Sequence, residues 1–249
     1  MSKSAVVFAG YFPTPFSLAV GEEFIAYFRQ HYADCHFYVG LNPAACNQDF
    51  LQLLAASGLQ YEVRIVPESL VVDSDASAYQ AALLLLREGE RQDFDVLYFF
   101  HSKGATNPTS KQLREFFLPR FADRARIETA FSHETVGSYS LFLGKSKNPF
   151  IDQLGEHYVF DRPYFYTYLY FHTIYALRAR PVLDFVHGCQ RSFFDVKLVD
   201  RYFFERDFPH VVWRQGFVPA SEFLVDWNMC FPASEVDFSG DARAHLSHR

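Results

Sequence analysis

The stretch Leu97-Tyr98-Phe99-Phe100-His101-Ser102-Lys103-Gly104 decides how the chain is read. A short apolar, aromatic run passes directly into a polar tripeptide and a glycine, the pattern of a buried strand with an abrupt end. In open α/β sheets, ligands bind just outside the carboxyl ends of strands. The imidazole of His101, the hydroxyl of Ser102, the ammonium of Lys103 and the permissive backbone of Gly104 suit an anion there, most naturally a phosphate.

Towards the N-terminus, residues 5–9 read as a first strand, stopped by Gly10 and Pro13. Residues 17–31 carry Leu18, Phe24, Ile25 and Phe28 at helical spacing. Residues 36–41 form a second strand closed by Asn42-Pro43, and a helix opens at Asn47 or Gln48 and runs through Leu54 to Gly58. A third strand over 61–66, a helix over 77–88 and a fourth strand over 95–100 complete the alternation. Four strands separated by helices predict right-handed βαβ units and a mainly parallel sheet. The fourth strand, apolar throughout, is the expected central one.

Beyond it, residues 111–131 predict one long helix with Leu113, Phe116, Phe117, Phe121 and Ile127 on one side. Residues 136–143 predict another strand, flanked by Gly137 and Gly144. From Tyr158 onward, aromatic helical stretches alternate with turns at Pro163, Pro181, Pro209 and Pro219. The fold class is therefore α/β: a Rossmann-like, mainly parallel central sheet flanked by helices, with a helical, aromatic-rich C-terminal part. Neither a linker-like run nor a repeat interrupts the chain, so residues 1–249 parse as one domain, with a polar tail at 241–249.

Composition narrows the function classes. The net charge of −6 argues against a general nucleic-acid binder. Cys35, Cys46, Cys189 and Cys230 form no CxxC pair, which disfavours a zinc site or a disulfide framework and favours reduced thiols. The first ten residues read as a buried strand rather than a signal peptide. The uncharged aromatic run at 163–177 is too short and too rich in tyrosine to span a bilayer. A cytoplasmic location follows as the expectation, with contact at a membrane surface left open.

Several other residues could carry chemistry. Asp73-Ser74-Asp75 pairs carboxylates in a way that suits Mg²⁺ or Mn²⁺. Ser74 or Asp75 can equally cap the helix that begins near Ser77, and capping with a ribose contact is the preferred reading. Asp184 and His187, in Asp-Phe-Val-His-Gly, could act as base and ligand. Glu134 and Asp226 are further general-base candidates, and Arg178, Arg180, Arg191 and Arg214 could meet a diphosphate or an acidic acceptor. The absence of GxGxxG, P-loop, GxSxG and HExxH patterns removes the main support for a dinucleotide enzyme, a P-loop NTPase, an α/β-hydrolase and a zincin.

This layout resembles a glycosyltransferase of the GT-A type. In that family the first strand and its loop, here residues 6–13, grip the nucleotide base, and a later hydrophobic strand delivers an Asp-x-Asp motif. The position of that motif is held here by His101-Ser102-Lys103. The variant is similar to the His-Thr-Lys element of bacterial rhamnan-synthesis and related cell-surface polysaccharide proteins, which also follow it with a polar loop and a basic helix, as residues 111–120 do here. The resemblance covers about residues 5–145.

It implies a nucleotide-sugar donor with its diphosphate against His101, Ser102, Lys103 and Gly104, and its nucleotide against Gly10, Tyr11, Phe12, Asn42, Asp73 and Asp75. It further implies a glycan or lipid-linked glycan acceptor, to be met on the side of residues 146–240. The resemblance carries no catalytic residue beyond Tyr158, so Asp184, Glu134 and His187 stand as candidates for assisting transfer on the reading of the residues alone. No metal ligand is assigned and no cofactor is required, with Mn²⁺ or Mg²⁺ left open. The place of action is the cytoplasm, with peripheral association at the inner membrane face left open. Two other classes stay in view. One is a non-catalytic nucleotide-sugar-binding module of a polysaccharide assembly machine. The other is a nucleotidyltransferase, ranked last because Gly10-Tyr11-Phe12-Pro13 lacks a glycine-rich loop.

Overall fold

The computed structural model describes residues 3–71, 75–89, 93–102, 105–107, 110–146, 167–170, 174–189, 194, 204, 208–213 and 215–226. Within them, β1 (Ser4–Gly10), β2 (His36–Leu41), β3 (Gln60–Ile65) and β4 (Val96–His101) alternate with α1 (Pro15–His31), α2 (Asn47–Ala56) and α3 (Ala76–Glu88). The four strands are parallel in the order β3-β2-β1-β4. Every residue of β1 is buried, as its position between two parallel neighbours demands. Val6 and Phe8 face the cluster formed with α1 and α2, while Ala5, Val7 and Ala9 face the cluster formed with α3. That alternation is the period of a strand covered on both faces.

Local chemistry sets the helix starts. Thr14 and Ser17 form a reciprocal capping box, with Pro15 in the first turn of α1. On the other face, α3 approaches β2 so closely that a Cβ on Gly40 would lie 1.7 Å from the Ala78 carbonyl oxygen. Gly40 thus sets how near α3 comes to the sheet.

After β4 come α4 (Lys111–Ala122), α5 (Arg124–Phe131), β5 (Val136–Ser146), β6 (Thr167–Tyr170), β7 (Tyr175–Arg178), α6 (Ala179–Gly188), a short helix α7 (His210–Trp213) and β8 (Val218–Asp226). The helix predicted over 111–131 is broken at Asp123, which leaves helical geometry at φ −79° and ψ 71°. Its carboxylate accepts the Arg126 N–H at 3.2 Å and so caps α5. Pro119, inside α4, removes one helix donor just before the break.

The sheet continues through β7, which is antiparallel to both β4 and β5. β5 therefore runs with β1 to β4, and β8, parallel to β5, does so too. One edge of β5 is shared by β7 at residues 138–140 and β6 at 143–146, while β8 lies along the other. The C-terminal part is thus mixed: α6 is joined by three strands that an aromatic run does not distinguish from buried helix by periodicity alone. Pro219 is tolerated in β8 beside the register shift at Val136/Ser138. Gly137 fills that shift, where a Cβ would meet Phe217 Cβ and Val212 Cγ1 at 2.3 Å. No helix among the described residues is long and apolar enough to cross a membrane.

Candidate functional site

The strand order creates one special place. β1, β2 and β3 build the sheet in one direction with α1 and α2 on one face, and α3 then crosses the other face to deliver β4 on the far side of β1. The carboxyl ends of β1 and β4 therefore flank a topological switch point, where open α/β sheets form their ligand crevice.

Backbone and side-chain bonds tie the loops at this end into one unit. Ser102 N–H donates to the Ala9 carbonyl at 2.9 Å, carrying the β1/β4 ladder one residue past His101. Its hydroxyl oxygen accepts the Tyr11 N–H at 3.1 Å. Asn42 N–H donates to the Gly10 carbonyl at 2.9 Å, which attaches the end of β2 to the end of β1. The buried Asn42 side chain accepts from Ser77 Oγ at 2.8 Å, and this fixes the start of α3 against the same corner. Asp75, immediately before α3, places Oδ2 2.9 Å from His101 Nδ1. The side chains of His101 and Asp75 are 12% and 23% exposed, so water screens this pair less than a surface one.

Seven residues thus converge: Gly10, Tyr11, Asn42, Asp75, Ser77, His101 and Ser102. Tyr11 is 38% exposed, which leaves part of its ring open to a planar ligand. The Phe12 ring is different: it is fully buried and stacked on Phe50 at 4.2 Å, so only its backbone reaches this end. Asn42 serves the frame rather than an open surface. The side chain of Asp75 makes no capping bond to α3, contrary to the preferred sequence reading. Its carboxylate is drawn to His101 across the chain, a partner that sequence distance conceals. Ser77 was not among the sequence candidates, because a serine in the first turn of a helix carries no signal of its own. Lys103, Gly104 and Asp73 lie outside the described residues, as do Arg191 and Arg214.

The proposed bases Glu134 and Asp184 are not brought here. Glu134 precedes Val136, the first residue of β5, and so stands at the amino edge of the sheet. There the Arg178 guanidinium donates to the carbonyls of Val136, Phe131 and His133 at 2.7, 2.8 and 2.9 Å. Arg178 ties the α5–β5 connection together at the edge opposite His101, so it is not placed to bind a diphosphate at that site. Burial lowers its pKa, against the favourable nearby charges of Glu134 and Asp95. α6 also begins at that edge, where Ala179 N–H donates to the Asp95 carbonyl at 3.0 Å. Asp184 follows within about 8 Å of that start by helical rise. It is half exposed and lies 3.9 Å from Arg180 on its own helix. His187 occupies the last turn of α6. Asp226 ends β8 opposite Lys145, at the carboxyl edge that also carries His101.

For a cation, Asp75 and His101 are the two ligand types drawn together here. Among the described residues no group of three or more His, Cys, Asp or Glu is close enough to hold a metal ion.

No protein family and no curated protein matches the chain. Among solved structures it is similar to a protein described as a glucose-1-phosphate thymidylyltransferase from Bacillus anthracis, solved in complex with sucrose. The likeness is 10% identical with a TM-score of 0.40, over 88% of this chain and 86% of that one. A likeness at that level assigns no family.

Proposed function

We propose that the chain is a glycosyltransferase that takes a nucleotide-sugar donor across the carboxyl ends of β1 and β4. The observation that carries this reading is the convergence of Tyr11, Ser102, His101 and Asp75 at the switch point. A half-exposed tyrosine whose backbone is tied to Ser102, next to His101, suits a flat base close to an anionic diphosphate. Lys103, directly after Ser102 in sequence, would add a compact cation of the kind suited to phosphate oxygens. Such cations can offset the charge that develops on a diphosphate leaving group without a metal ion. The acceptor, a glycan or lipid-linked glycan, would face the carboxyl ends of β5 and β8, the edge at which Asp226 ends β8.

The placement of Glu134 and Asp184 also favours a second reading, a non-catalytic nucleotide-sugar-binding module. Two of the three residues proposed for catalysis stand away from the carboxyl edge, whereas Tyr11, Asp75, His101 and Ser102 gather there without them. A thermal-shift panel of UDP-, GDP-, dTDP- and CMP-sugars, with and without Mn²⁺, tests binding. A ligand at 100 times its Kd stabilises the folded state by about 2.7 kcal/mol. Donor hydrolysis or transfer by the purified chain separates the enzyme from the module. In the enzyme reading, Lys103→Ala abolishes turnover with the fold intact.

A further inference from the structure

β3 (Gln60–Ile65) ends the sheet on one side, and among the described residues it pairs with β2 alone. None of its residues is fully buried, and Ile65 is 46% exposed. One bond fixes where its free backbone groups point: the Val66 N–H donates to the Leu41 carbonyl of β2 at 2.8 Å. Backbone groups of successive strand residues turn alternately to the two sides of the strand. Glu62 and Arg64 therefore turn theirs to β2, while Tyr61, Val63 and Ile65 turn theirs outward. Side chains alternate between the two faces as well. Tyr61 and Val63 pack on the cluster formed with α1 and α2, whereas Glu62 and Arg64 lie on the α3 side, beside His36 and Glu88. Their side chains keep 42% and 32% exposure, so both can still meet a chain laid against the edge.

Native proteins guard an open edge with charged side chains that keep a second strand away. On β3 the guard has opposite signs two positions apart, which makes the edge complementary to itself in one register. We propose that β3 pairs antiparallel with β3 of a second copy of this chain, about a two-fold axis at Val63. Val63 then stands opposite the partner's Val63, Tyr61 opposite the partner's Ile65, and Glu62 opposite the partner's Arg64. The outward-facing residues Tyr61, Val63 and Ile65 exchange both backbone bonds with their opposites. Glu62 and Arg64 fall at the non-hydrogen-bonded positions, where opposed side chains come closest. Moving the axis to Glu62 or to Arg64 sets two carboxylates or two guanidiniums face to face, so the charges select the register. The contact is isologous, as a closed dimer requires. A strand edge is a small interface, so the dimer is weak and forms with rising concentration. It sets the two candidate sites on opposite edges of the joined sheet and does not depend on what they bind.

The test is sedimentation equilibrium of the full chain over a range of concentrations. The native chain passes from monomer to dimer as concentration rises, and less readily at high salt. Val63→Pro removes an outward N–H that β2 does not use, so the dimer is lost while circular dichroism stays native. Glu62→Arg and Arg64→Glu each set like charges opposite one another and raise the dimer dissociation constant at least about tenfold. The double reversal, Glu62→Arg with Arg64→Glu, returns it to within about threefold of the native value, a rescue that a purely intramolecular role of either charge does not produce. If a reversal does not fold, Glu62→Gln and Arg64→Gln take its place, each weakening the dimer by about threefold. A native chain that stays monomeric throughout overturns the proposal and leaves the edge to another kind of strand. A dimer indifferent to Val63→Pro or to the single changes overturns it too, as does a double reversal no better than the single ones.

Discussion

The Tyr11 N–H donates to Ser102 Oγ across 3.1 Å, joining the loop after β1 to the loop after β4. The bond lies at an exposed position, so its value for folding is small and its value for holding the two loops in register is larger. Ser102→Ala is expected to change unfolding free energy by less than about 1 kcal/mol. The same variant should weaken nucleoside diphosphate binding by about threefold to tenfold, measured by calorimetry beside a denaturant titration.

Gly40 makes the opposite kind of prediction. A methyl group there would lie 1.7 Å from the Ala78 carbonyl oxygen, which belongs to backbone and cannot turn aside. Gly40→Ala should cost about 3 kcal/mol by forcing α3 off the sheet. It should also disturb Ser77 and Asp75 at the start of that helix. Gly188→Ala, whose Cβ would meet nothing within 4 Å, serves as the control and should leave the urea midpoint close to that of the native chain.

Arg178 separates stability from function. Its guanidinium serves three carbonyls at the amino edge and stacks near the rings of Phe131 and Phe217. Removing it should destabilise the fold by about 2 kcal/mol, since two part-buried carbonyls and an exposed one lose a charged donor. Nucleotide affinity, measured below the new unfolding transition, should stay within about twofold. A selective loss of affinity with full stability would contradict its assignment to the frame.

High pH should unfold the protein cooperatively. Burial pushes the Tyr38 and Tyr98 hydroxyls and the Cys35 thiol up to about 12. In the unfolded chain these groups ionise near 10 for tyrosine and 8.5 for cysteine. Their contribution is therefore intact below about pH 8 and is lost as pH rises towards 12, first from Cys35 above about 8.5 and then from the tyrosines above about 10. Tyrosinate absorbance and circular dichroism should change together over that range, rather than absorbance first.

The parts of the fold legible in the sequence were those set by local patterning. β1 to β4 announced themselves as short apolar runs closed by Gly10, Pro43, Pro67 and the polar tripeptide after Phe100, and the parallel sheet followed from their alternation with helices. The insertion of β7 between β4 and β5 was not legible, because Tyr175–Arg178 carries no period that tells a buried strand from a helix. It decides the place of Arg178: an antiparallel strand reverses which edge its last residue reaches. The Asp123 break was hidden because Leu113 to Ile127 keep helical spacing across it. At the site, His101 and Ser102 were visible from the strand end alone, and Tyr11 and Asn42 from theirs. The close approach of Asp75 to His101 was not, since a local cap and a long-range partner use the same residue type at the same position.

The most direct measurement of the central claim is a map of backbone amide shifts when a nucleoside diphosphate sugar is added to the labelled full chain. The account predicts that shifts concentrate at Gly10, Tyr11, Asn42, Asp75, His101 and Ser102, with Glu134, Arg178 and Arg180 unmoved. Shifts centred on the amino edge around Glu134 and Arg178, with the ends of β1 and β4 silent, would contradict it.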